Sequence, residues 1–191
     1  MKSPLKLFVF TLAVLLSSCY SHKSAVASGA HNDQLIQWPE GYAPETADFY
    51  VYNEIDIAAS PEIVWDILIQ AESWGQWYPH AKNLTIEQQH KDRLDRGVSF
   101  QWNPAKKLQF VSTVQVFNPP YQLAWSARES RDKMTAYHAW VILPTPSGCT
   151  VITAESQNGP QTKPEKIFAP KMVSRAHQNW LLGLKEQAEA L

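Results

Sequence analysis

The sequence carries little charge and no excess of either sign. Charged residues make up 18% of the 191 residues, and the 17 Lys and Arg nearly balance the 18 Asp and Glu, for a formal net charge of −1. Nucleic-acid-binding domains typically carry a basic patch or stripe, so this balance gives no electrostatic basis for binding nucleic acid. Hydrophobic residues make up 45% of the chain, which is typical of a globular protein and not of a disordered one.

The short motifs of several enzyme and metal-binding classes are also missing. There is no glycine-rich phosphate loop, no paired-cysteine motif, no His-Glu-x-x-His and no Gly-x-Ser-x-Gly. The six histidines lie too far apart in the sequence for a metal signature: His22, His31, His80, His90, His138 and His177. We therefore expect neither a metal ion nor another cofactor.

Cysteine occurs only twice, and the first cysteine lies in an N-terminal signal. Two lysines flank the start of an apolar run, residues 5–16, which is too short for a comfortable membrane span and has the shape of a signal peptide. The Leu-Ser-Ser-Cys sequence that ends at Cys19 resembles a bacterial lipobox. Residues 1–19 are thus predicted to be a lipoprotein signal peptide with Cys19 lipidated; the alternative is an ordinary secretory signal in which Cys19 is incidental.

The position after the lipobox cysteine bears on localisation. Tyr20 stands there instead of Asp. By resemblance to lipoproteins of two-membraned bacteria, this favours the periplasmic face of the outer membrane and a membrane attachment through the lipid alone. If Cys19 carries lipid, Cys149 has no partner for an intramolecular disulfide, and we expect it to be a small, half-buried residue.

The remaining sequence divides into a polar segment and a folded domain. Residues 20–47 are polar and without sustained periodicity, and are predicted to be a tether, with Trp38 and Tyr42 docking onto the domain. Residues 48–59 alternate as a half-buried strand. The sequence Ser60-Pro61-Glu62 then predicts the start of a helix, and a short aromatic turn follows at residues 74–79.

From residue 83 the hydrophobic period changes to two. Six further strands are predicted at residues 84–89, 98–103, 108–117, 121–128, 134–143 and 149–157. The short connections between them make the sheet antiparallel. Residues 163–191 have helical periodicity, with a kink or break expected at Pro170. The apolar face of this predicted helix must be buried, and we expect it to pack against the sheet. The fold class is therefore α+β.

Two stretches of the sequence resemble the START-related superfamily called SRPBCC, which includes polyketide cyclase/dehydrase-like proteins. The first is the entry into the first helix, Ala59-Ser60-Pro61-Glu62-Ile63-Val64-Trp65, and the second is the turn Trp74-x-x-Trp77-Tyr78-Pro79. The resemblance covers residues 48–191. It implies a helix-grip (START/Bet v 1-like) fold, in which a curved seven-stranded antiparallel sheet wraps a long C-terminal helix and two short helices follow the first strand. It also implies a cavity between sheet and helix for lipids, sterols, hormones or aromatic polyketides.

Two polar residues are candidate catalytic groups. If Leu143 pairs with Thr150, His138 lies opposite Glu155 on the neighbouring strand. An imidazole beside a carboxylate is suited to acid–base chemistry in a sheltered cavity. The alternative is a cross-strand polar pair with a structural role, contributing about 0.2–1 kcal/mol.

Aromatic residues are the candidate ligand-binding groups. Ligand cavities are usually lined by aromatic and apolar side chains with a few polar groups. The predicted lining consists of Trp74, Trp77, Tyr78, Trp102, Phe110, Trp125, Trp140 and Trp180, although some of these are expected only to pack the core. Trp180 on the terminal helix is predicted to form the lid or the floor of the cavity.

Three functions fit these observations. The first is a lipid-anchored envelope protein that binds a small hydrophobic or aromatic ligand between the sheet and the C-terminal helix. The second is a cyclase- or dehydratase-like enzyme that uses His138 and Glu155. The third is an interaction module whose exposed aromatic residues bind a protein of the envelope.

Overall fold

The computed structural model describes residues 32–87, 92–105, 108–162 and 171–191. The predicted signal peptide and Cys19 lie outside these residues. No helix in the described ranges combines the length and the apolar character needed to cross a bilayer.

Within the described part of the chain, seven strands form one antiparallel sheet with the spatial order β1-β7-β6-β5-β4-β3-β2. The strands are β1 (Phe49–Ile57), β2 (Lys82–Ile86), β3 (Ser99–Ala105), β4 (Leu108–Asn118), β5 (Gln122–Glu129), β6 (Thr135–Thr145) and β7 (Gly148–Asn158). Each predicted strand is present, with shifts of a few residues at its ends. The first strand, β1, lies at one edge of the sheet and pairs with the last strand, β7, so that Val51 lies opposite Glu155.

Irregular pairing curves the half of the sheet that contains β3 and β4. The register between these strands shifts after Trp102, and that between β4 and β5 shifts between Val114 and Val116. A β-bulge bends its strand and increases the local twist. The sheet is therefore curved, as the helix-grip resemblance implies, and its concave face has room for a helix.

Three α-helices lie within the described ranges: α1 (Pro61–Leu68), α2 (Trp74–Trp77) and α3 (Met172–Glu189). The predicted start of α1 is confirmed, because the Ser60 side chain accepts a hydrogen bond from the Ile63 N–H and Pro61 occupies the first turn. Helix α3 buries one face, which includes His177, Trp180 and Leu184. Its predicted start at residue 163 and the expected kink at Pro170 lie outside the described residues.

The N-terminal part of the described chain packs on the convex face of the sheet. Trp38 makes edge contacts with Tyr50 and Tyr137, at centroid distances of 5.9 and 5.8 Å, and Tyr42 also contacts Tyr137 at 6.1 Å. Ile36 is buried against the same face. The segment predicted as a polar tether thus contains a docked part, which covers apolar residues of β6 and β7 that would otherwise face water.

Candidate functional site

A cavity of about 670 Å³ lies between the concave face of the sheet and α3. Volumes of about 300–1,000 Å³ are usual for sites that hold small molecules. The lining is mostly apolar and aromatic: Tyr78, Trp102, Pro104, Ala105, Leu108, Phe110, Trp125, Ala127, Met134, Ala136, Met172, Val173, Ala176 and Trp180. The polar lining residues are His80, Glu155, Gln157, Lys171, Arg175, His177 and Asn179.

Five of the eight aromatic residues proposed from the sequence line this cavity. They are Tyr78, Trp102, Phe110, Trp125 and Trp180, which come from α2's C-terminal end, β3, β4, β5 and α3. Their convergence follows from the fold, since the curved strands and the helix face each other across the same space. Whether they contact a ligand stays a prediction.

The other three tryptophans pack away from the described cavity wall. Trp74 is fully buried, and its indole N–H donates a 2.9 Å hydrogen bond to the Leu68 carbonyl oxygen. Trp77 lies against Gly183 of α3, where an added Cβ would come within 2.9 Å of the indole ring. Trp140 is buried beside His138, with stacked rings 5.4 Å apart. These three positions connect the helices and the sheet in the core.

Trp180 lies at the centre of the aromatic cluster. Its ring contacts those of Trp74, Trp102, Trp125 and Trp140 at centroid distances between 4.9 and 6.1 Å. Only 1% of Trp180 is exposed although it lines the cavity. Trp180 is therefore both a core residue and part of the cavity wall.

The predicted hairpin register is confirmed. Leu143 pairs with Thr150, which places His138 directly opposite Glu155. The His138 Nδ1 atom lies 2.9 Å from Oε2 of Glu155, and its Nε2 atom lies 2.7 Å from the Thr153 hydroxyl. Glu155 lines the cavity, whereas His138 lies behind the wall among Trp125, Trp140 and Trp180.

His177 of α3 completes a cluster that the sequence analysis did not predict. Its Nε2 atom lies 3.5 Å from the same Glu155 oxygen, and its ring stacks on that of His138 at 4.7 Å. His177 and His138 are 3% and 1% exposed. A signal was present, because His177, Leu181 and Leu184 follow the i, i+4, i+7 spacing of one buried helix face.

Burial and the two histidines set the charge state of this cluster. Burial lowers the pKa of His138 to about 4, although the neighbouring Glu155 carboxylate acts in the opposite direction. Burial alone would raise the pKa of Glu155, but its contacts with His138 and His177 outweigh that effect and hold the pKa below its usual range. At neutral pH the cluster therefore contains an ionised carboxylate beside a neutral His138.

The curved sheet, the C-terminal helix that packs in its concave face and the cavity between them define a protein of the helix-grip fold. Residues 49–189 match the family described as polyketide cyclase / dehydrase and lipid transport. The chain belongs to this family. None of the curated proteins matches it significantly.

Solved structures share the fold. Hypothetical protein jhp0584 from Helicobacter pylori superposes with a TM-score of 0.74 at 24% identity, over 80% of this chain and 95% of that one. The di-domain ARO/CYC protein StfQ from the steffimycin biosynthetic pathway gives 0.59 at 12% identity, over 74% of this chain and 51% of its own. BexL, the di-domain ARO/CYC protein of the BE-7585A pathway, gives 0.58 at 17% identity, over 75% and 50%.

Proposed function

We propose that this protein is held at the cell envelope by lipid on Cys19 and binds a small hydrophobic or aromatic ligand between the sheet and α3. The observation that carries the proposal is the cavity of about 670 Å³, which is walled mainly by apolar side chains. The lipobox resemblance of the sequence ending at Cys19 supports the anchoring. Lipid transport in the family's description supports an apolar ligand.

Desolvation of the ligand is the main source of affinity. Burying about 200 Å² of apolar ligand surface contributes ~5 kcal/mol at ~25 cal/mol per Å². The lost freedom of the ligand offsets part of this gain. Because wall residues such as Tyr78, Trp102 and Trp180 pack against one another, few of them need to be ordered on binding. A gain of ~5 kcal/mol alone corresponds to a dissociation constant of ~0.2 mM, so micromolar binding requires a larger buried apolar area or polar contacts with the wall.

The polar residues orient the ligand. Glu155 and His177 lie on one part of the wall, and the exposed side chains of Lys171 and Arg175 lie at the N-terminal end of α3. An ionised carboxylate accepts hydrogen bonds, so a hydroxyl or N–H group of the ligand is favoured beside Glu155. An anionic group is favoured instead near Lys171 and Arg175. The proposed ligand is thus an apolar molecule with at least one polar group.

Native mass spectrometry of the gently purified protein tests this function. We expect one hydrophobic molecule bound per chain in the wild type and none in Ala176→Phe, because Ala176 lines the cavity and a phenyl ring there occupies ligand space. A wild-type protein that carries no ligand, and takes none up from a lipid extract of its own cells, would contradict the proposal.

A second candidate function is a cyclase- or dehydratase-like enzyme, which the contact between His138 and Glu155 favours. The ARO/CYC neighbours StfQ and BexL share the fold and come from biosynthetic pathways. Glu155 would be the acid–base group that contacts a carbonyl compound, and its lowered pKa makes it a weak base. Deuterium exchange next to the carbonyl of a bound ketone tests this candidate: acceleration in the wild type and none in Glu155→Gln supports it, whereas equal rates oppose it.

The interaction-module hypothesis gains no support from the described surface. Within the described ranges the exposed large hydrophobic residues are Leu35, Val111, Tyr121, Met172, Leu182 and Leu191. Met172 and Leu182 share α3, and the carbonyl oxygen of Leu35 accepts a hydrogen bond from Gln122, the neighbour of Tyr121. The interaction module stays a prediction.

A further inference from the structure

Three side chains of metal-ligating type converge from three elements beside the cavity. His138 is on β6, Glu155 on β7 and His177 on α3. One ligand atom from each can be chosen so that all three lie within 4.8 Å of one another. Both histidines are more than nine-tenths buried, so this is an internal cluster and not a surface group.

The contact between His138 and Glu155 lacks the direction of a hydrogen bond. Their Nδ1 and Oε2 atoms are 2.9 Å apart, yet Nδ1 of His138 has no hydrogen-bond partner among the described residues. The separation is short enough for a hydrogen bond, so the feature that fails is the alignment of an Nδ1–H group with the oxygen. A metal cation held by the two atoms would make the same close approach favourable.

The distances in the cluster suit a shared ion. Atoms that both bind zinc at ~2.1 Å in tetrahedral geometry lie ~3.4 Å apart. The two contacts of Oε2 of Glu155 are 2.9 Å to His138 and 3.5 Å to His177, on either side of this value.

Neighbouring residues hold two of these ligands in the required orientation. Thr153 contacts Nε2 of His138 at 2.7 Å, and its hydroxyl can accept an Nε2–H bond, which leaves the Nδ1 lone pair free for a metal. Gln157 donates a hydrogen bond to Oε1 of Glu155, which leaves Oε2 for the cluster. Such partners of the other ligand atoms are typical around metal sites.

No lysine or arginine side chain of the described part of the chain occupies the cluster. No Lys or Arg in the described ranges lies within ion-pair distance of Glu155, whose neighbours are the two histidines. Trp125, Trp140 and Trp180 surround His138 and cover that side of the cluster. A cation bound here would therefore meet no competing positive side chain from the described residues.

We propose that His138, Glu155 and His177 bind one divalent transition-metal ion such as Zn²⁺, through Nδ1, Oε2 and Nε2 respectively. Imidazole and carboxylate ligands suit Zn²⁺ and related ions. Three protein ligands leave a fourth position, as in catalytic and not structural zinc sites. Because Glu155 and His177 line the cavity, this position opens toward the ligand space. The proposal departs from our sequence-based expectation of no metal.

Titration of the metal-stripped full chain with Zn²⁺, followed by calorimetry, tests the site. Co²⁺ provides a second readout, because its visible absorption reports nitrogen and oxygen ligation. We expect one ion per chain in the wild type and at least tenfold weaker binding in His177→Gln and Glu155→Gln. Thr153→Val should weaken binding ~10–100-fold, since Thr153 positions His138 without touching the ion.

His80→Gln is the matched control, because His80 is an exposed histidine of the cavity lining that is not part of the cluster. It should bind Zn²⁺ as the wild type does. Melting curves in EDTA establish that each variant is folded before titration. Absence of stoichiometric binding, or wild-type binding in both folded cluster variants, would overturn the proposal.

The metal titration needs no apolar ligand, so its outcome is independent of the proposed function. If the chain binds zinc but no apolar probe, the metal site is supported and the proposed ligand binding is contradicted. If the chain binds apolar ligands but no zinc, the ligand binding is supported and the metal site is contradicted.

Discussion

The Trp180 indole stacks face to face on the Tyr78 ring, with centroids 4.5 Å apart and planes inclined by 6°. This contact joins α3 to the end of α2, and both residues line the cavity. Burial raises the pKa of Tyr78, which keeps its hydroxyl protonated. The pair therefore forms a rigid, uncharged part of the wall.

Trp180→Phe should weaken ligand binding beyond its effect on folding, because a smaller ring removes part of that wall. Urea unfolding should show a loss of about 1–3 kcal/mol, and binding of a fluorescent apolar probe should weaken at least threefold. Trp74→Phe is the control, since Trp74 is buried but does not belong to the described lining. Equal changes in probe affinity in the two variants would show that Trp180 acts only through core packing and has no separate role in ligand binding.

The sequence predicts the sheet well because alternation and turn residues act locally. The turn before Gly148 fixed the β6–β7 register, and with it the pairing of His138 with Glu155. The role of His177 was missed because it depends on how α3 rotates over the sheet. The sequence does not show whether Trp74 and Trp102 lie in the core or in the cavity wall, because hydrophobic periodicity does not determine how far α3 lies from the sheet.

Trp38→Ala should destabilise the domain while leaving the cavity intact. Trp38 covers Tyr50 and Tyr137 on the convex face, opposite the ligand site. We expect a loss of about 2–4 kcal/mol in urea unfolding and unchanged probe affinity. Glu40→Ala, an exposed change in the same segment, should stay within ~0.5 kcal/mol of wild type. Equal stability of the two variants would show that the segment is not docked.

Glu129 should make folding sensitive to acid. Its side chain is buried and accepts a 2.7 Å hydrogen bond from Nε of Arg131, which holds the pKa of Glu129 below its usual range. A lowered pKa in the folded state contributes stability above the unfolded-state value of ~4.3, and this contribution is lost as pH falls through the folded-state value. Glu129→Gln should therefore be less stable than wild type at pH 7, with the difference shrinking below about pH 4. A difference that does not change with pH would refute this role.

Cys19→Ser should abolish lipid anchoring. Expressed in a bacterial host, the wild type should incorporate labelled palmitate and sediment with membranes. The variant should do neither, because it lacks the thiol that receives the lipid. Cys149→Ser is the control and should behave as the wild type, since Cys149 is a buried free cysteine in the domain. Membrane sedimentation of Cys19→Ser at the wild-type level would contradict lipidation as the means of attachment.

The most direct test of ligand binding in the cavity is a fluorescence titration with the uncharged probe N-phenyl-1-naphthylamine. We expect saturable binding to one site in the wild type and at least tenfold weaker binding in Ala176→Phe, with melting temperature maintained. Ala190→Phe places the same ring at an exposed position after α3 and should bind as the wild type does. Equal probe affinity in the wild type and Ala176→Phe, or no saturable binding to the wild type, would contradict the account.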